Sequence, residues 1–374
     1  MFFRDERSEG VPHLAKHLLI GSLTAHSGKS AAVLGLSPQI LVRGIGFAYG
    51  KPLSMNLDPA AAAAPLPSVD LDVQFIVSAL NLTQQQIVPS FLTVNDADIQ
   101  KQLQAGHRAS SSKLNYSLDK DYDLVLFEGP SNLAEGQLFG FSLLQQAEQL
   151  EATVLLVARC QSLAVVDELL LAQTHLGDRL GGVILNDVPE KLSKPMADFI
   201  VPFLEQHNIP VFGQIPSHPL LRSISVREMV QQLNAEVLCC GDRLDLMVEQ
   251  LSIGAMNVNS ALRYFNRANN MAVVTGGDRT DIQLAALESS TNCLILTGHF
   301  SPNAIVLNRA EDLEVPVLSV DLDTLTTVEL VDKAFSSARF SETIKVDCIQ
   351  KLFKQHVDID RLLNQLEIKP ALRL

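Results

Sequence analysis

The sequence predicts an α/β protein: a doubly wound, mostly parallel sheet, then a smaller α/β domain and a helical C-terminal tail. Three observations predict it. Near-continuous apolar runs such as YDLVLFEG and ATVLLVA alternate with amphipathic stretches, as parallel strands covered on both faces by helices do. A strand–turn–helix pattern recurs late in the chain, with Thr275 and Thr297 at matching positions of its first two copies. At 374 residues the chain exceeds the usual size of one domain.

HLLIGS opens the first sheet as a short strand, and a small polar loop carries the chain into SGKS and a helix. ILVRGIGFAYG, YDLVLFEG, ATVLLVA, LGGVILNDV and IPVFGQIP supply the further strands, with amphipathic helices near 136–149 and 193–207. Between them DPAAAAAPLPS, at 58–68, is a Pro- and Ala-rich segment that reads as a surface loop. Beyond Pro216 the segments LLRSISVREMVQQL and DRLDLMVEQL have helical periodicity and read as a connector. MAVVTGGDRTDIQLAALE, NCLILTGHFSPNAIVLNRAE and VPVLSVDLDTLTTVELVDKAF then form three strand–turn–helix units, and VDCIQKLFKQHVDIDRLLNQLEI forms the tail. The expected boundaries are 1–222, 223–340 and 341–374.

Composition excludes several functions. With 47% hydrophobic residues the chain can bury ample core, and its formal net charge of −13 repels nucleic-acid phosphates, so no nucleic-acid partner is expected. The five cysteines are too scattered for a disulfide framework and have no zinc spacing. MFFRDERSEG lacks the apolar core of a secretory signal, and no apolar run approaches the roughly 20 residues that cross a bilayer. A reducing, cytoplasmic setting without a transmembrane segment is the expectation.

The chemistry concentrates at SGKS. A strand that ends in a loop and feeds a helix leaves unpaired backbone N–H groups where the helix dipole favours negative charge. There Gly28 admits a phosphate closely, Lys29 supplies a point charge, Ser30 offers a hydroxyl to Mg²⁺, and Thr24 and Ser27 belong to the same cradle. The strict P-loop spacing wants Gly at 23, where this chain has Leu23, and a helix start that merely contains SGKS is the plain alternative. Glu128 ends a strand at the sheet edge where ligands sit, so it is a candidate metal ligand or else a cap for the next loop. Lys51 follows another strand and brings a second cation to that edge.

SGKS, GKPL, LDVQFI, YDLVLFEGP, GGVILNDV and FGQIP occur in the order that resembles dethiobiotin synthetase-like P-loop proteins. The chain is still more similar to the N-terminal region of long bacterial phosphate acetyltransferases and to their stand-alone cyanobacterial and archaeal relatives. TGGDRTDIQLAALE, followed by LILTG and VPVLSV, resembles the DRTGG domain. The resemblance covers roughly 16–345. It implies ATP and Mg²⁺, with Lys29 and Ser30 on phosphate and metal, Lys51 as the KP-motif lysine and Glu128 as the metal-associated glutamate. It also implies Asn186 near an adenine pocket, Gly213 and Pro216 beside the base, and Asp72 as a further metal ligand. The acidic residue of the family loop is absent, and His26 stands near its place, so acid-substrate chemistry is poorly supported.

In the second domain Gly276 and Gly277 allow positive φ ahead of a helix, so Gly276, Gly277, Asp278 and Arg279 form a candidate second site. Equally, Asp278 or Thr280 caps that helix and Arg279 pairs with a carboxylate. LTGHFSP repeats the turn with His299. The resemblance associates the DRTGG domain with subunit contacts and regulation, hence a homo-oligomer and a protein partner. Nothing of the acetyltransferase catalytic domain is visible, so acetyl transfer is not expected. Three functions stand open: an ATP-Mg-binding regulator, an ATP-dependent ligase or carboxylase-like enzyme using Lys29 and Lys51, and a scaffold with a degenerate loop.

Overall fold

A computed structural model describes residues 15–55, 70–106, 116, 122–298, 301–336 and 342–369. The insert at 58–68, the N-terminal MFFRDERSEG and His299 lie outside the described residues. The fold divides into two compact units, one ending at Ser217 and resuming with the C-terminal helices, the other beginning at His218.

The first unit carries β1 (Lys16–Ser22), β2 (Phe47–Gly50), β3 (Leu53–Met55), β4 (Ile87–Val88), β5 (Leu92–Val94), β6 (Leu124–Glu128), β7 (Thr153–Arg159), β8 (Leu180–Val188) and β9 (Val211–Pro216). Seven of these form one parallel sheet in the order β4-β2-β6-β1-β7-β8-β9. The chain leaves β1 in one direction, returns at β6 and continues through β7 in the other. The strand order therefore reverses about β1 and β6, where ligands bind in open α/β sheets. Strand residues bury completely because helices cover both faces: Leu19, Phe127, Val154 and Leu156 pack on one side with Leu143, Ala147 and Leu169. β3 and β5 make a small parallel pair over Leu53, Val94 and Phe141, which seats the chain just after Lys51.

The helix Lys29–Val42 follows β1 and runs through Ile40, Leu41 and Val42 with Pro38 inside it. The sequence pattern assigned those apolar residues to a strand. Their side chains instead finish the helix, and the β2 strand starts only at Phe47 after the turn at Gly44. The C-terminal helices Thr343–His356 and Ile359–Gln365 belong to this unit. Gly35 faces Phe353 so closely that a Cβ would lie 2.2 Å from its Cγ. At the sheet edge Gly213 bridges Val357, and the Asp358 N–H donates to the Phe212 carbonyl at 2.7 Å. Arg43 pairs with Asp360 at 2.6 Å and Arg361 with Glu205 at 2.8 Å.

The second unit has β10 (Ile224–Ser225), β11 (Glu236–Cys239), β12 (Met247–Val248), β13 (Gln250–Ile253), β14 (Met271–Gly276), β15 (Thr291–Thr297) and β16 (Val317–Val320). Its five-stranded sheet runs β11-β16-β15-β14-β13, with β11 antiparallel and the others parallel. Successive strand residues alternate between two cores: Met271, Val273, Leu294 and Leu296 face one, Ala272, Val274, Cys293 and Ile295 the other. DRLDLMVEQL is not a helix as its periodicity suggested. It makes a short turn and enters β12 and β13, where Val248 buries fully in the second of these cores.

Candidate functional site

The loop after β1 turns sharply into the helix that starts at Lys29. Gly28 is its N-cap with φ 102° and ψ 28°, a left-handed conformation that a side chain disfavours, and no side chain caps the helix. Among the described residues no hydrogen bond satisfies the backbone N–H of Gly28, Lys29 or Ser30. His26 also has positive φ and is exposed at the loop tip. Thr24 and Ser27 brace the loop from inside: their hydroxyls lie 3.0 Å apart and Ser27 Oγ donates to the Thr24 carbonyl at 2.7 Å.

Lys29 Nζ donates to Ser22 Oγ at 3.2 Å, and Ser22 in turn donates to the Ser131 carbonyl at 2.9 Å. Burial lowers the Lys29 ammonium below the ordinary lysine value, while the Glu128 and Glu135 carboxylates pull it back up. The Ser131 N–H donates to Glu135, which fastens that carboxylate to the loop after β6. Ser30 Oγ donates to Glu128 Oε1 at 2.8 Å, and the Tyr49 hydroxyl donates to Glu128 Oε2 at 3.2 Å. Glu128 is 3% exposed, so these bonds hold a buried carboxylate in place. Burial, with Glu128 beside it, pushes the Tyr49 phenol well above its usual range, and Tyr49 stays a donor.

Lys51 lies 2.6 Å from Asp70 and 3.3 Å from Asp72. Burial lowers its ammonium, but Glu128, Asp70 and Asp72 more than offset this and hold it above the ordinary lysine value. Burial acts to raise the Asp70 carboxyl, yet Lys51 and Ser54 prevail and hold it below the usual aspartate range. Asp70 also accepts from the Asp72 and Val73 N–H groups and so caps the helix Leu71–Ala79. Asn186 Nδ2 donates to the Ser27 carbonyl at 2.8 Å.

Lys29, Ser30, Lys51, Glu128 and Asp72 are thus brought to one edge of the sheet, with Asn186 on the far side of the loop. Pro216 pairs with Val188 at the end of β9, whereas Gly213 lies within that strand, against the C-terminal segment. Sequence reasoning passed over Ser22, Tyr49, Asp70 and Glu135. Asp70 carried a signal, an Asp directly before an apolar helical run; Glu135 acts from seven residues past its strand and carried none.

The donor set suits a hard divalent cation, with a hydroxyl from Ser30 and a buried carboxylate from Glu128. No group of three or more His, Cys, Asp or Glu arranged to hold a metal occurs among the described residues. Ser30 and Glu128 would therefore hold Mg²⁺ only together with a bound phosphate, whose charge the ion would neutralise.

In the second unit Gly276 and Gly277 precede the helix Thr280–Leu287, whose N-cap is Arg279 with no side-chain cap. Capping by Asp278 or Thr280 is therefore not realised. Arg279 instead pairs with Asp281 at 3.2 Å and reaches the Met256 carbonyl, while the Asp278 side chain lies against Gly276.

Residues 16–225, more than half of the chain, match the AAA domain family AAA_26. The chain belongs to that family. Residues 228–334 match the DRTGG domain. The AAA domain and DRTGG domain together align with phosphate acetyltransferases. The chain is 27% identical to that of Synechocystis sp. over 95% of this chain and 52% of the relative. With that of Nitratidesulfovibrio vulgaris the figures are 26%, 96% and 53%. The chain spans about half the length of these curated relatives. A solved structure of the CBS and DRTGG domains of the Clostridium perfringens pyrophosphatase regulatory region, complexed with its activator diadenosine tetraphosphate, is 21% identical. The match has TM-score 0.27 and covers 38% of this chain and 70% of that one. No helix among the described residues is long and apolar enough to cross a membrane.

Proposed function

We propose that this chain is a nucleotide-responsive regulatory protein: the AAA domain binds ATP with Mg²⁺, and the DRTGG domain carries the response to a second copy or a protein partner. One observation carries the reading. The unsatisfied N–H groups of Gly28, Lys29 and Ser30 open beside the half-buried Lys29 ammonium and a Ser30–Glu128 pair, which is an anion cradle with a metal-compatible flank. Gly28, Lys29 and Ser30 would hold the phosphates, Ser30 and Glu128 the metal, and Lys29 would neutralise the terminal phosphoryl group.

A ligase would need Lys51 to hold the acid, and Lys51 is already neutralised by Asp70 and Asp72. This favours binding over acid activation. The test is a thermal melt with increasing ATP-Mg. At a hundredfold excess over Kd a ligand selective for the folded state adds about 2.7 kcal/mol, and Lys29→Ala should remove the rise. A ligase would also release phosphate when offered its acid. A scaffold would show no ATP effect and would keep its partners in Lys29→Ala. Sedimentation with and without ATP-Mg reports whether assembly follows occupancy.

A further inference from the structure

Asn186 stands near the C-terminal end of β8, in register with Arg159 of β7, and its carbonyl accepts from the Cys160 N–H at 2.9 Å. Its backbone is thereby fixed in the sheet. Its side-chain Nδ2 donates to the Ser27 carbonyl at 2.8 Å. A carbonyl can only accept, so the amide nitrogen, and not its oxygen, must face the loop.

In a trans peptide the C=O and the following N–H point to opposite sides of one rigid plane. Tying the Ser27 carbonyl to Asn186 therefore turns the Gly28 N–H away from β8. That N–H has no partner among the described residues. The fit is tight as well as directional: a Cβ at Gly28 would lie 2.3 Å from Asn186 Nδ2. Gly28 thus needs to be glycine twice over, for its φ of 102° and for the amide lying on it.

We propose that Asn186 is a positioning residue for the phosphate loop: by holding the Ser27 carbonyl it aims the Gly28 N–H at a bound anion. The inference rests on the nucleotide reading above. It differs from the base contact that the family resemblance implies for Asn186. A base contact acts only on ligands that have a base, whereas this clamp acts on any polyphosphate.

Inorganic triphosphate with Mg²⁺ separates the two. Titration calorimetry on the full chain should show Asn186→Ala losing about five- to tenfold in affinity for triphosphate as well as for ATP, the scale of one hydrogen bond. Asn186→Asp, equal in size but with no donor at neutral pH, should lose at least as much and serves if Asn186→Ala folds poorly. Gly28→Ala and Asn186→Ala disturb one contact, so their combined loss should fall short of additive. The Ala32 amide, which donates to the Gly28 carbonyl at 2.9 Å, should exchange hydrogen faster in Asn186→Ala. Wild-type triphosphate affinity in both Asn186 variants would overturn the proposal, whatever happens to ATP. A wild-type chain that binds neither ligand would overturn the nucleotide reading; unchanged exchange at Ala32 would then overturn the clamp separately.

Discussion

Asp70 shows how a single carboxylate serves two structural tasks. It caps a helix through Oδ1 and neutralises Lys51, beside Ser54, through Oδ2. Asn also caps helices well, so Asp70→Asn isolates the charge. Because the folded carboxyl titrates below its unfolded value near 3.9, the ion pair contributes stability that is fully present above that pH and is lost as pH falls through the lower folded value. Melting curves should show Asp70→Asn less stable than wild type from pH 5 to 8, with the gap closing below about pH 4. The thiols make a second residue-scale prediction. Burial pushes Cys160 and Cys239 up to about 12, so a thiol reagent at pH 8 should leave both unmodified until the protein unfolds, as read by mass spectrometry.

At the scale of elements, the contact between the helices Lys29–Val42 and Thr343–His356 depends on Gly35. Gly35→Ala would drive a Cβ into the Phe353 ring, and overpacking of this kind costs about 1–3 kcal/mol. Phe353→Ala leaves a void instead and should cost about 3–5 kcal/mol, both measurable by urea unfolding. These elements also mark the limit of sequence reasoning. Runs such as LVLFE and TVLLVA announce strands because a parallel sheet buries every residue. Ile40–Val42 is apolar but short, and Met247–Ile253 mixes apolar residues with Glu249, Gln250 and Ser252, so only tertiary packing decides between helix and strand for them. The loop Gly28–Ser30 and Glu128 were legible from residue type and order. Tyr49 and Glu135 were not, since a hydrogen bond to a residue far along the chain leaves no local trace. The family resemblance pointed to Asp72, although Asp70, directly before the helix Leu71–Ala79, is the residue that caps it and holds Lys51.

Over the whole molecule, two units with separate cores should unfold as two transitions. Calorimetry with ATP-Mg should raise only the one belonging to the β1–β9 unit. Truncation before Thr343 should lower that same transition and spare the other, because Phe353, Val357 and Ile359 complete the first unit's packing. The net charge of −13 should keep the chain off nucleic acid in a filter-binding assay even at low salt.

The split of the first unit along the chain sets a timetable for its synthesis. The groove beside Gly35 and the strand edge at Gly213 leave the ribosome before the helices that cover them, with the roughly 120 residues of the second unit translated in between. At about 5–20 residues per second that is a delay of roughly 6–25 s. Through that interval the nascent P-loop unit exposes an apolar seam, so a chain halted before Thr343 should aggregate more readily than the finished one.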